Sequence, residues 1–158
     1  MNITLRPFPA DHQDFLFKLY ASTRAAEFSA FGWNAAQLEA FLRMQFNAQK
    51  QWYEVAYRGA DHQLILADEQ PAGRILVFRE ADANLLVDIA LLDEYRNRGI
   101  GKQLLQDLIA RSEKEGRGVR LQVLKNNPAC RLYQRLGFIQ TGEDGMHYQM
   151  LRKPTSGS

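Results

Sequence analysis

The stretch Arg96-Asn97-Arg98-Gly99-Ile100-Gly101-Lys102 decides how this chain is read. It follows an apolar run, residues 85–92, whose one charge is Asp88. It precedes Leu104, Leu105, Leu108 and Ile109, which share one face of a helix expected over 99–115. A strand therefore turns directly into a helix. Two glycines two apart let the backbone approach a ligand closely. The first N–H groups of the helix have no intrahelical partners, and the helix dipole adds positive potential there. With Arg96, Arg98 and Lys102 alongside, the segment suits a pyrophosphate. A plain strand-to-helix turn is the alternative. Two familiar nucleotide motifs fail. Gln103 follows Lys102 where a phosphate loop needs Ser or Thr, and Leu104 stands where a dinucleotide fingerprint needs a small residue.

Outward from this turn, the pattern alternates between periods of two and 3.6 residues. Ile3, Leu5 and Pro7 read as a first strand. Phe15, Leu16, Leu19 and Tyr20 mark a helix, and an irregular aromatic stretch, 27–33, follows. Asn34 is placed to cap a second helix with Leu38, Phe41, Leu42, Gln45 and Phe46 inward, its stripe continuing toward Trp52. Residues 64–66, 73–78 and 85–92 read as an antiparallel meander with turns at 68–71 and 81–84. After the helix, ended by Gly116, residues 119–123 form a strand. Asn127 and Pro128 open a short helix carrying Ala129, Leu132, Tyr133 and Leu136. Residues 138–141 and 146–151 make two last strands. The expectation is an α+β, layered α/β fold: a mixed, mostly antiparallel sheet of about seven strands flanked by helices. One domain is expected over 1–153, with a loose tail over 154–158.

Composition narrows the function. Apolar residues at 46% and charged residues at 24% describe a globular domain rather than a disordered one. A net charge of +2, with both signs interspersed, offers no nucleic-acid surface. One cysteine, Cys130, excludes an internal disulfide, and the three histidines are too scattered for a zinc site, so no metal is expected. Without a signal-like or membrane-spanning segment, a cytoplasmic location and no membrane partner are expected.

The turn and a second block resemble the GCN5-related N-acetyltransferase (GNAT) family. The family's coenzyme A signature, Gln/Arg-x-x-Gly-x-Gly/Ala, is matched by Arg96, Gly99 and Gly101, after the lead-in Asp93-Glu94-Tyr95. Its Asn-x-x-Ala-x-x-Leu-Tyr-x-x-x-Gly-Phe block is matched by Asn126, Ala129, Leu132, Tyr133, Gly137 and Phe138. The resemblance implies acetyl-CoA as co-substrate and transfer of its acetyl group to a primary amine by direct attack in a ternary complex. It implies that the backbone of Ile89, Ala90 and Leu91 pairs with the pantetheine arm. Arg96, Asn97, Arg98, Gly99, Ile100, Gly101 and Lys102 would hold the pyrophosphate, and Asn126 would contact the coenzyme. Tyr133 would be the catalytic acid beside the sulfur; a packing role on its apolar face is the alternative. Many relatives carry a carboxylate base where this chain has Val87, so no base is named, and Glu27 and Glu54 are only candidates. A catalytically silent coenzyme A-binding module on the same fold is the alternative function.

The family places its acceptor near the first two helices and the last strands. In this chain those are residues 27–33, the region of Tyr53 and Tyr57, and the 142–147 turn. Glu27, Phe28, Trp33 and Asp88 are the candidate acceptor contacts, with Asp88 read equally as a buried structural carboxylate. The acceptor is a small-molecule or peptide amine of unread identity, and edge strands near the C-terminus leave room for a homodimer.

Overall fold

A computed structural model describes residues 1–155. It contains the strands β1 (Ile3–Pro7), β2 (Asp61–Ala67), β3 (Gln70–Arg79), β4 (Ala83–Leu91), β5 (Gly118–Leu124), β6 (Ile139–Glu143) and β7 (His147–Arg152). The α-helices are α1 (Gln13–Arg24), α2 (Ala35–Ala56), α3 (Ile100–Lys114) and α4 (Ala129–Arg135). The strands form one mixed sheet in the order β1-β2-β3-β4-β5-β7-β6. β4 pairs β5 in parallel, from Ala83↔Gly118 to Leu86↔Leu121, whereas β1–β2, β5–β7 and β6–β7 are antiparallel. The expected fold class is the one observed. No helix among the described residues is long and apolar enough to cross a membrane.

The chain divides into two compact units. The first takes Met1–Leu76 and Asp88–Ile100; the second takes Val77–Val87 and the chain from Gly101 onward. In the first, Leu16, Phe17 and Leu19 of α1 bury against Leu42 and Phe46 of α2 and against Leu92. Phe17 meets Phe46 edge-on at 5.5 Å. Leu64 and Ile65 of β2 are fully enclosed. Asp68 and Glu69 both take positive φ (47° and 70°), so β2 and β3 are joined by a two-residue turn of the type that matches hairpin twist. The turn expected over 68–71 is thus shorter, and β3 starts at Gln70.

In the second unit, Leu104, Leu105, Leu108 and Ile109 of α3 are buried, as are Val119, Leu121 and Val123 of β5. A polar knot ties these elements. Buried Asn84 donates to Ser112 Oγ (2.8 Å) and Glu115 Oε1 (3.1 Å), and accepts from Arg117 Nε (3.3 Å). Buried amides are retained when each group finds a partner, as here. Of the tail expected at 154–158, Thr155 donates its N–H to Glu113 Oε1 at 2.8 Å; residues 156–158 lie outside the described residues.

Two local departures matter for the site. Residues Ala25–Phe31 are a 3₁₀ helix rather than irregular chain. Trp52, expected to extend the inward stripe of α2, is 60% exposed.

Asn34 starts α2 with a reciprocal cap: its Oδ1 accepts from Gln37 N–H (2.8 Å), and its own N–H donates to Gln37 Oε1 (3.0 Å). Asn34→Ala should cost about 1 kcal/mol in thermal or denaturant melting, and Asn34→Asp should restore most of it. Equal melting of wild type and Asn34→Ala would mean that α2 is held by packing alone.

Candidate functional site

The candidate anion turn, residues 96–102, is built from the end of β4. Leu92 N–H donates to Ala72 O at 2.8 Å, closing β4 onto β3. Gly73 sits where a Cβ would strike the carbonyl of Ala90, so only glycine permits this approach. Asp93–Tyr95 make a single 3₁₀ turn, with Arg96 N–H donating to Asp93 O (3.1 Å). Asn97 (φ 60°) and Gly99 (φ 81°) are both left-handed. Left-handed residues in such a turn let successive N–H groups converge into an anion-binding concavity. Nothing approaches within 4 Å of a Cβ built at Gly99, nor of one built at Gly101. The space beside each glycine is therefore open.

The charges at this turn do different work. Arg96 Nε donates to Leu91 O at 2.9 Å, Nη1 pairs with Asp93, and Nη2 reaches Ser22 Oγ at 3.4 Å. Its guanidinium splints the turn to the end of β4 and to α1. Arg98 and Lys102 are exposed, and no ion pair engages either among the described residues.

On β4, Ile89, Ala90 and Leu91 are half-buried. Asp88, one residue earlier, accepts from Arg74 through Nε (2.9 Å) and Nη2 (2.8 Å), both on Oδ2. The Arg74 side chain is 9% exposed, so Asp88 supplies the countercharge that a buried guanidinium requires. The structural reading of Asp88 thus has its partner in β3.

Arg74 also lines a cavity of about 300 Å³ bounded by α1, α2, β2 and β3. Tyr53, Tyr57 and Glu54, expected near an acceptor, line it too. Burial, and then the nearby Asp88 charge, push the Tyr53 hydroxyl up to about 12. Burial, and then Arg74, push His62 down to about 4, so its ring is neutral at pH 7. That ring stacks on Phe8 at 4.3 Å, and Phe8 N–H donates to His62 O at 2.9 Å. Sequence reasoning missed Arg74 and His62. A signal for the first was present: Arg74 is a lone charge within an apolar strand, as Asp88 is in the next.

Glu27, Phe28 and Trp33 do not line this cavity. Glu27 is exposed, while Phe28, Phe31 and Trp33 stack on one another at 5.3–6.2 Å centroid separations, with Phe41 edge-on to Phe28 and Trp33.

In the second unit, Asn127 Oδ1 accepts from Ala129 N–H (2.9 Å) and so starts α4, which the structure begins one residue after Pro128. Asn126 is exposed in the preceding turn. Tyr133 is half-buried, 5.8 Å from the Phe138 ring, and burial, then Cys130, push its hydroxyl above the ordinary value. It is therefore a proton donor throughout the neutral range. The Cys130 thiol points to Leu124 O at 3.6 Å. No cluster of His, Cys, Asp and Glu among the described residues is arranged to hold a metal.

His62 sets a pH dependence. Its pKa falls from the ordinary 6.5 to about 4 on folding, so the unfolded chain binds the proton more readily between those values. Stability should be full above pH 6.5 and decline as pH falls toward 4, by at most ~3 kcal/mol. Chemical denaturation across this range should show the decline, and His62→Gln should flatten it. An unchanged slope in the variant would assign the loss to other groups.

A family model described as an acetyltransferase (GNAT) domain matches residues 59–140. No curated protein sequence matches the chain significantly. Solved structures similar to it include the PaiA N-acetyltransferase of Thermoplasma acidophilum in complex with coenzyme A: 22% identity, 97% of this chain and 99% of that one, TM-score 0.72. A histone acetyltransferase HPA2-related protein of Corynebacterium glutamicum matches with 21% identity, 98% of each chain and TM-score 0.71. The ribosomal-protein-S18-alanine N-acetyltransferase of Escherichia coli matches with 20% identity, 97% and 94% coverage and TM-score 0.65. At these identities the neighbours establish the shared fold. The family model spans more than half of the chain, including the anion turn and the Tyr133 block, and this protein belongs to the GNAT acetyltransferase family.

Proposed function

We propose that this protein is an acetyl-CoA-dependent N-acetyltransferase acting on a primary amine. The observation that carries the reading is the turn from Arg96 to Gly101. It combines two left-handed residues, open space at its glycines and the first N–H groups of α3. Such a cradle suits the pyrophosphate of coenzyme A, and the exposed Arg98 and Lys102 add full charges. Coenzyme A in the Thermoplasma neighbour supports the same ligand.

In this reading the pantetheine arm pairs with the backbone of Ile89, Ala90 and Leu91, and Asn126 contacts the coenzyme. The neutral amine attacks the thioester carbonyl carbon directly in a ternary complex. A backbone N–H of β4 stabilises the oxyanion, the largest single contribution in acyl transfer. As the C–S bond breaks, the Tyr133 hydroxyl gives its proton to the departing thiolate, and the proton lost by the attacking nitrogen returns to the tyrosinate through solvent, leaving the amide, the free thiol and the enzyme as it began. Its raised pKa keeps that proton in place at neutral pH. Arg96 acts through position, fixing the turn rather than meeting the phosphates with its side chain. No covalent enzyme intermediate is invoked, because the Cys130 thiol is directed at a backbone carbonyl.

Two substitutions test this. Gly101→Glu places a carboxylate in the open cradle without backbone strain, since Gly101 lies in α3 with ordinary φ. It should abolish acetyl-CoA binding by calorimetry with melting unchanged; undiminished affinity would remove the pyrophosphate assignment. Tyr133→Phe should lower kcat by about 10²-fold or more while acetyl-CoA affinity changes little. Equal turnover of the two proteins would return Tyr133 to a packing role.

A further inference from the structure

The cavity bounded by α1, α2, β2 and β3 contains polar atoms that the fold does not use. Gln13 Oε1 and His62 Nε2 are buried there and have no hydrogen-bond partner among the described residues. Gln13 Nε2 is directed at Ala10 O (3.5 Å), which leaves Oε1 unpaired. A buried polar atom left unpaired is costly, and a ligand whose entry lets these two side chains turn toward it relieves that cost. Gln13 Oε1 requires a donor, while His62 Nε2, on a neutral ring, takes either role according to tautomer.

The charges add a sign. Arg74 is balanced by Asp88. Lys50 and Arg58 also line the cavity, and neither is in an ion pair among the described residues. Glu54 is the single carboxylate in the lining. A positive excess remains, which favours an anionic group on the ligand and disfavours a polycation. A volume of about 300 Å³ is at the small end of ligand sites.

We propose that this cavity receives the acceptor, and that the acceptor is a small amine carrying a carboxylate, of the size of a single amino acid. Its carboxylate lies against Lys50 and Arg58, and Gln13 and His62 complete its remaining polar groups. Arg74 links the cavity wall to β4 through Asp88, one residue before Ile89. The inference rests on the acetyltransferase reading above and extends it by naming the acceptor class.

The test compares free amino acids, their methyl esters and spermidine. Thiol release from acetyl-CoA is followed on a preparation whose acetyl-CoA binding is measured first. The His62 imidazole signal in NMR reports occupancy of the cavity. Free amino acids should shift that signal and act as acceptors, with kcat/KM for the esters lower by about tenfold, as expected for a lost charge-assisted contact. Arg58 is exposed, so Arg58→Gln should fold normally, and it should raise KM for free amino acids by about tenfold while sparing the esters. His62→Gln should weaken the same substrates. The proposal is overturned if spermidine or the esters are preferred. It is also overturned if a preparation that binds acetyl-CoA neither acetylates a free amino acid nor shows a His62 shift with one. Failure to bind acetyl-CoA would instead strike the acetyltransferase reading, with the His62 signal still judging the cavity.

Discussion

A guanidinium that is nine-tenths enclosed must have its charge answered from close by, and Arg74 has Asp88. That pair lies between two neighbouring strands whose backbones also close on each other, with Leu92 N–H on Ala72 O and no room for a side chain at Gly73. Removing Asp88 would leave the buried Arg74 charge uncompensated, a far larger penalty than the pair's own net contribution. The same pair lies three residues before the end of β4 at Leu91, from which the turn over 96–102 hangs. It also fixes one wall of the cavity and the electrostatic surroundings of Tyr53 and His62. Structure and chemistry therefore share one constraint in the first unit.

The anion turn shows how one composition serves two ends. A basic, glycine-containing segment looks like a set of equivalent phosphate ligands, yet its cations are not equivalent. Arg96 spends its donors on Leu91 O, Asp93 and Ser22 Oγ, holding a turn whose backbone twice visits the left-handed region. Ordering such a turn costs conformational entropy and some strain at Asn97, and local hydrogen bonds offset both. Open space lies beside Gly99 and Gly101, and N–H groups organised in advance are what make backbone anion sites effective.

Burial acts in opposite senses on the titratable groups that matter. It raises the tyrosine hydroxyls at 53 and 133, keeping their protons on, and it lowers His62, keeping its ring neutral. Both tyrosines are therefore neutral and protonated at pH 7, and the His62 ring is uncharged.

The sequence by itself determined the family and the fold. The Gly99 and Gly101 spacing needs a strand before it and a helix after it, and the block from Asn126 to Phe138 supplies the matching helix with Tyr133 on its buried side. Periodicity of two and of 3.6 is local, so strands, helices and the Asn34 cap were legible within a residue or two. What only the tertiary structure decided depends on residues far apart in sequence. Arg96 became a brace because Leu91 O and Ser22 Oγ lie within its reach. Asp88 acquired Arg74, fourteen positions away, and the cavity drew Gln13, His62 and the end of α2 together while leaving Glu27, Phe28 and Trp33 outside it. No local pattern encodes such meetings, because side-chain partners and desolvation are set by packing between elements and not by spacing along one.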